Sequence, residues 1–332
     1  MIFNRLNSYA LPHLDEHQHG FRPGRSCETA VAELTQKLYQ HLDKRSGKAV
    51  ALFVDFTKAF DSVNQLLLFR KLLTKYNNDF PPYLLTILLD YFYGREFTIA
   101  NGDYISSKYQ ISSGVPAGSV NGPILYSLFV NDIGEYLDLE YLLYADDLCI
   151  FTDCNTFEEG VSKLNKTIEG LCKWCDINGV KLNVTKTKWM TFYKAHDRQS
   201  AKAKKGEIII NGLLVERVEV FKYLGVLLNS NLSFNEHEDL VEQRVNYALS
   251  KLYRLKRFLD VRVMKVLLSS YVTSNIEYAI IIWGVKQQKL YTLQQKINKF
   301  LLSYFLPSLY GKSRRKGKLI NITKIELNNY FE

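Results

Sequence analysis

The chain is poor in cysteine: only Cys27, Cys149, Cys154, Cys172 and Cys175 occur in 332 residues. So sparse and odd a set argues against a disulfide-stapled secreted scaffold and favours a reducing, intracellular compartment. Cys172 and Cys175 form a Cys-x-x-Cys pair, but no second Cys or His pair stands at zinc spacing. The pair fits a helix leading to the turn at Gly179. No apolar run approaches the roughly 18 residues that span a bilayer. The most apolar stretch, 279–285, is far shorter, so no membrane partner is expected. The opening residues Met1-Ile2-Phe3-Asn4 lack the pattern of a signal peptide. There is no internal repeat and no low-complexity tract. What is present is ordinary for a globular protein, with 47% apolar and 23% charged residues. The length suggests two domains, or one large divided one. Forty-three basic residues against 34 acidic ones leave a formal charge of +9. That excess points to an acidic partner, with nucleic acid ahead of an anionic membrane.

Local patterns predict a mixed α/β body followed by a helical region. His19-Gly20-Phe21-Arg22-Pro23-Gly24-Arg25-Ser26 is a Gly/Pro loop. Ser26 can cap a following helix in which Ala30, Val31, Leu34, Leu38 and Leu42 repeat at helical spacing. Residues 49–55 read as a continuously apolar strand, buried on both faces and ending in Asp55. Helices are expected through Leu66–Leu73 and 83–93, then a hairpin around Asn101-Gly102. A flexible loop, 112–119, leads into a further helix. Residues 141–144 and 148–152 are two short apolar strands with Ala145-Asp146-Asp147 between them. An amphipathic helix (157–174), strands (181–192, 208–210, 221–228) and helices from 236 onward complete the pattern.

Two features carry chemistry. Asp55 ends a buried strand, and Asp146-Asp147 occupies the turn of an apolar hairpin. Adjacent carboxylates oppose each other's ionisation. A bound divalent cation relieves that conflict, and hard oxygen ligands favour magnesium or manganese. Three aspartates brought together suit two metals about 4 Å apart, the arrangement for in-line phosphoryl transfer. Taken singly, Asp146-Asp147 reads equally as a polar turn, and Asp55 as a helix cap.

The combination, in order, resembles a known family. Phe53-Val54-Asp55-Phe56-Thr57-Lys58-Ala59-Phe60-Asp61 looks like the first catalytic motif of reverse transcriptases. Tyr144-Ala145-Asp146-Asp147 looks like their second aspartate motif, and Ser113-Gly114-Val115-Pro116-Ala117-Gly118-Ser119 like the loop motif between them. Gly20-Phe21-Arg22-Pro23-Gly24-Arg25-Ser26 resembles the upstream fingers motif, and Phe221-Lys222-Tyr223-Leu224-Gly225 the downstream primer grip. The likeness is strongest to polymerases of non-LTR (LINE-type) retrotransposons.

The resemblance implies roles. Asp55, Asp146 and the backbone carbonyl of Phe56 would hold Mg2+ or Mn2+, with Asp147 a ligand or a neighbouring charge. Phe60 matches the steric gate under the incoming sugar; without its motif it reads as a core aromatic. Arg22 and Arg25 match residues that reach a triphosphate; alone they are solvated loop charges. Lys186 and Lys188 lie in a stretch resembling the fourth palm motif. A lysine there can protonate departing pyrophosphate, and Lys188 is the preferred choice. Ala117 and Gly118 would flank the nucleotide. Lys222, Tyr223, Leu224 and Gly225 would hold the primer. On the helix after 236, Arg244, Lys251 and Arg254 flank an apolar stripe, offering cations to a phosphate backbone as a thumb helix would. A basic stretch, 312–318, suits RNA binding or a nuclear signal.

The expected fold is α+β: a right-hand polymerase with partial fingers (1–48), an antiparallel-sheet palm with a ferredoxin-like core (49–230), a helical thumb (231–300) and a basic extension (301–332). The palm helices are expected on one face of the sheet. The implied partners are an RNA template, a DNA primer and deoxynucleoside triphosphates, in nucleus or cytoplasm. The chain opens close to the fingers motif, so an N-terminally truncated polymerase is expected, with any endonuclease supplied by a missing domain or another protein. Ala117 departs from the family, which usually carries glutamine there, and Asn121 stands where an apolar residue is usual. These departures keep open a catalytically impaired, nucleic-acid-binding remnant. An intron maturase or an RNA-dependent RNA polymerase fits less well, since Phe60 opposes ribonucleotides.

Overall fold

The computed structural model describes residues 2–44, 47–76, 80–116, 118–197, 200, 202–203, 205–284 and 287–305. Ala117 and the basic stretch 312–318 lie outside the described residues. The chain forms two compact units, Met1–Leu232 and Ser233–Glu332.

The first unit opens with helices α1 (Ile2–Ala10) and α2 (Cys27–Asp43). Ser26 caps α2 as its position predicts: its hydroxyl accepts from the Thr29 N–H, and the Thr29 hydroxyl accepts from the Ser26 N–H. Strand β1 (Lys48–Val54) and helices α3 (Gln65–Thr74) and α4 (Pro82–Phe92) follow. Two short strand pairs stack on the Asn101-Gly102 turn: β2 (Glu96–Phe97) with β5 (Tyr109–Gln110), and β3 (Ala100–Asn101) with β4 (Tyr104–Ile105). Next come α5 (Gly122–Val130), β6 (Glu140–Tyr144), β7 (Asp147–Cys154), α6 (Phe157–Asn178) and β8 (Lys188–Tyr193). Strands β9 (Ile209–Ile210), β10 (Leu213–Leu214), β11 (Glu216–Arg217), β12 (Val220–Tyr223) and β13 (Val226–Asn229) close the unit.

The central sheet runs β11-β8-β1-β7-β6. Its pairings are antiparallel except for β11 with β8, which is parallel. The architecture is α+β, as expected. Alternation along β1 sends Val50, Leu52 and Val54 into the main core with Phe129 of α5 and Trp174 of α6. Gly160 lets α6 approach closely, since a Cβ there would lie 2.8 Å from Val50. The opposite face is covered too. His41 of α2 lies 6.0 Å from the Phe151 ring, and Phe53 stacks on Phe221 at 4.3 Å. The helices within 49–230 thus pack on one face, while α2 and the β12–β13 hairpin cover the other. A strand as continuously apolar as β1 requires cover on each face.

Two further expectations change. Residues 221–228 form not one strand but part of the β12–β13 hairpin. Its turn residues Leu224 and Gly225 both take positive φ, 42° and 90°, the signature of a type I′ turn. Of 181–192, only the part from Lys188 is strand, and 183–187 is a tight turn. Helix α6 continues to Asn178, where Gly179 ends it at φ 68°.

The second unit is helical: α7 (Asn235–Leu255), α8 (Val261–Leu268), a π-helical turn at Ser269–Thr273, α9 (Ser274–Glu277), α10 (Ile280–Trp283) and α11 (Gln287–Phe305). On α7 the predicted stripe buries Val241, Val245, Leu249 and Leu252, while Leu255 stays exposed. Among the described residues no helix is long and apolar enough to cross a membrane.

A buried polar knot ties three helices together behind the sheet. Lys71 of α3 donates to Asp132 at 2.7 Å and to the Phe129 carbonyl at 2.7 Å, while the Trp174 indole N–H also donates to Asp132, at 2.8 Å. Burial opposes the Asp132 charge, yet the bonds from Lys71 and Trp174 hold its carboxyl below the ordinary range. Both side chains of the pair are only about a tenth exposed. Removing one partner leaves a buried charge uncompensated, so Asp132→Ala should lower the unfolding free energy by about 3–5 kcal/mol. Asp138→Ala, which breaks an exposed pair with Lys166, should cost under about 1 kcal/mol. Urea unfolding of the two variants checks this; equal losses would contradict it.

Candidate active site

Asp55 follows directly on β1 and Asp147 opens β7. Val54 pairs with Leu148, so the register carries both aspartates to the same end of neighbouring strands. Asp146 stands in the two-residue turn Ala145-Asp146, closed by the Tyr144–Asp147 pair. Ala145 is left-handed, φ 58°, a conformation that costs an L-residue roughly 1–2 kcal/mol.

The segment before β8 wraps Asp55. Its N–H donates to the Thr187 hydroxyl at 3.2 Å, and its carbonyl accepts from Asn183 N–H at 2.8 Å. Thr57 N–H donates to the Lys181 carbonyl at 2.8 Å, which completes a bridge between Phe56 and Leu182. That bridge uses the carbonyls of Asp55 and Lys181 and leaves the Phe56 carbonyl out of it. The carboxylate atom Oδ1 of Asp55 is buried with no hydrogen-bond partner among the described residues.

Electrostatics record the crowding. Burial, then the charges of Asp146 and Asp55, push the Asp147 carboxyl up to about 6. Burial, opposed by its own backbone N–H and aided by Asp55, raises Asp146 as well. The Asp147 side chain is exposed to solvent, so water screens part of that repulsion. A pocket of about 80 Å³ lies against Asp55 and Asp147, with Lys186, Lys222, Tyr223 and Leu224 also in its wall. The β12–β13 turn is thereby brought to the carboxylates. Leu224 and Gly225 both take positive φ in that turn.

The two lysines separate. Lys186 Nζ lies 4.0 Å from Asp55 and is largely exposed. Lys188 Nζ is held by Glu216 at 2.7 Å, away on the β11 side. The ion pair with Glu216 holds the Lys188 ammonium, and the turn before β8 brings Lys186 nearer to Asp55. Phe60 is half-buried, stacked on Tyr126 at 4.3 Å with Phe21 edge-on at 6.4 Å. The loop motif meets it through Val115 N–H donating to the Phe60 carbonyl at 3.0 Å. Gly114 (φ 83°) must be glycine, because a Cβ would press on the Asp61 backbone at 3.0 Å. Gly118 is exposed at φ 71°. Arg22 donates to the Asp15 carbonyl at 2.8 Å, and Arg25 to His19 at 3.1 Å. In the second unit Arg244, Lys251 and Arg254 are exposed on α7, and Lys251 sits 4.4 Å over the Tyr247 ring.

A family model described as reverse transcriptase (RNA-dependent DNA polymerase) matches residues 1–228. The chain belongs to the reverse transcriptase family. It is 28% identical over 304 residues to the probable RNA-directed DNA polymerase from transposon BS of Drosophila melanogaster, covering 88% of this chain and 33% of that protein. It is 29% identical over 256 residues to the RNA-directed DNA polymerase from mobile element jockey of the same fly, covering 73% and 26%. The chain thus spans a third or less of these relatives. Among solved structures, apo telomerase from Candida tropicalis aligns with TM-score 0.47 and 13% identity, over 94% of this chain and 50% of that one. The expected right-hand polymerase class accords with the family.

Reverse transcriptases use divalent metal ions, and the donor set here suits that need. The buried Asp55 Oδ1, unpartnered among the described residues, and the raised carboxyls of Asp146 and Asp147 fit a cation. Among the described residues, no three His, Cys, Asp or Glu side chains already stand as a metal-holding cluster. Residues that motif reading missed are Tyr126 beneath Phe60, Asn183 and Thr187 around Asp55, and Gln18, whose contact with Ala145 spans 127 positions.

The crowding has a sign. In the folded, metal-free protein Asp147 keeps its proton up to about pH 6, against 3.8 for the ordinary group. Between those values the folded chain holds more protons than the unfolded one, so stability falls as pH rises through the window. The penalty is absent below about pH 3.8 and complete above about pH 6. Urea midpoints in chelator should fall more steeply from pH 4 to 6 for the parent than for Asp147→Asn. Parallel profiles would show that Asp147 is not crowded.

Proposed function

We propose that this chain is the polymerase portion of a retrotransposon reverse transcriptase, adding deoxynucleotides to a primer 3′-hydroxyl on an RNA template. The observation that carries this is the meeting of Asp55 with Asp146-Asp147 at one sheet end, beside the Lys222–Gly225 turn, in a chain of this family. Asp55, Asp146, Asp147 and the Phe56 carbonyl would hold magnesium or manganese. When bound, such ions lower the pKa of an attacking hydroxyl and neutralise a leaving oxygen. Lys186, near Asp55, serves as proton donor toward pyrophosphate in place of Lys188. The β12–β13 turn steadies the primer end. Arg25 and Arg22 serve the triphosphate through N–H groups beyond those bonded to His19 and Asp15. Ala117 and Gly118 lie along the nucleotide's path. Residues 1–48 act as partial fingers, 49–230 as palm, 231–300 as thumb and 301–332 as a basic extension. In the thumb, Arg244, Lys251 and Arg254 pair with phosphates. Nicking of a target would fall to another domain or protein.

The test is magnesium-dependent primer extension on a primed homopolymer RNA. The parent should extend, and Asp146→Asn should lose extension while keeping most nucleic-acid binding, because binding rests on distributed cations. Equal extension by both proteins would sink the metal assignment. Binding without extension by the parent itself would favour the impaired remnant.

Phe60 supplies a second test. Its ring is braced below by Tyr126 and at the edge by Phe21, so it cannot swing aside easily. Phe60→Val should admit ribonucleotides that the parent rejects. A variant as selective as the parent would remove Phe60 from the sugar site.

A further inference from the structure

We propose that Gln18 is a positioning residue that holds the Ala145-Asp146 turn in its left-handed form, and through it the carboxylates of Asp146 and Asp147. This inference rests on the polymerase reading for its kinetic consequences, though not for its structural one. Gln18 is 1% exposed. It lies in a segment that runs parallel to the edge strand β6. Leu143 N–H donates to the His17 carbonyl at 2.9 Å, and His19 N–H to the Leu143 carbonyl at 2.7 Å. That pairing sets Gln18 beside Leu143, two residues before the turn. Its side-chain Oε1 then reaches forward and accepts from Ala145 N–H at 3.1 Å and from Gly20 N–H at 2.8 Å.

The amide cannot be turned over, because its NH2 would then face two N–H donors. In the orientation so fixed, Nε2 is buried with no hydrogen-bond partner among the described residues. A buried unpaired donor is unfavourable, and a methionine or leucine would fill the space without one. A glutamine kept under that penalty is explained by what its oxygen does. The penalty sits beside a second one, Ala145 at φ 58° where a glycine would be at ease. Gly20 completes the clamp: any Cβ there would lie 2.4 Å from the Ala145 nitrogen. The fingers-motif glycine is therefore fixed by contact with the aspartate turn. Without the Gln18 oxygen, Ala145 is free to relax toward negative φ. Asp146 and Asp147 would then move relative to Asp55.

The experiment compares Gln18→Met, which keeps the volume and loses the acceptor, with Gln18→Glu, which keeps an acceptor. Gln18→Met should lower kcat for extension by about 100-fold, the usual cost of misplacing a reacting group by about an ångström. KM for nucleotide should change little. Gln18→Glu should retain clearly more activity. Adding Ala145→Gly to Gln18→Met should recover part of the loss, because glycine holds a left-handed φ unaided. Strictly additive effects in that cycle would overturn the proposal. Amide hydrogen exchange reads the same contact without catalysis. The Ala145 and Gly20 amides should exchange faster in Gln18→Met, while Ile150 in the middle of β7 is unchanged. If the parent does not extend primers, the polymerase reading fails, and exchange alone decides this inference: unchanged protection at Ala145 overturns it. Should Gln18→Met not fold, the smaller Gln18→Asn, whose amide cannot reach Ala145, takes its place.

Discussion

Like charges at the end of a buried sheet repel, and much of the first unit exists to hold three of them there. Asp55, Asp146 and Asp147 come from segments some 90 residues apart in sequence, joined by the pairing of β1 with β7. A one-residue slip in that register would send alternate side chains to the wrong face and separate the aspartates. Side-chain size opposes the slip, since Val50, Leu52 and Val54 fill the core against α5 and α6 while Ala49, Ala51 and Phe53 are buried on the other face. Core packing and site geometry are thus one constraint. The Lys71–Asp132–Trp174 knot serves it from behind by locking α3, α5 and α6 together.

Strain gathers at the same place. Of the eight non-glycine residues with left-handed φ among the described residues, Phe21, Lys58, Ala145 and Leu224 each belong to a different motif of the site. Such conformations persist only where the surroundings over-determine them. Each of the four turns the chain sharply at a point where an extended path would carry a functional side chain away. Asp147, which closes the aspartate turn, and the β12–β13 turn both line one small pocket.

The sequence made some of this visible and hid the rest for a physical reason. Asp55 was legible because a continuously apolar run marks a buried strand, and a carboxylate at its end must emerge where the sheet meets water. Asp146-Asp147 was legible because two apolar strands leave room for only a turn between them. Ser26 announced α2 through local capping chemistry. The β12–β13 hairpin was missed because Leu224-Gly225 lacks the Asn or Asp that usually marks such a turn. Lys186 and Lys188 could not be told apart, because Glu216, which holds the Lys188 ammonium, lies 28 positions away. Gln18 had no local signal at all, its partner being 127 positions away.

That last case shows how the motifs depend on one another. In sequence, the Gly20-Phe21-Arg22 loop and the Tyr144-Ala145-Asp146-Asp147 turn are separate signatures with separate duties. In the fold they are a single contact. Gly20 is glycine because the turn leaves no room for a Cβ, and Ala145 can be left-handed because Gln18 holds its N–H. Phe21, next in the chain, reaches the Phe60 ring, whose own carbonyl is bonded by Val115 of the loop motif. A change in any one of these segments is therefore felt at the carboxylates. The upstream segment thus bears on the aspartate turn through backbone contacts as well as carrying Arg22 and Arg25.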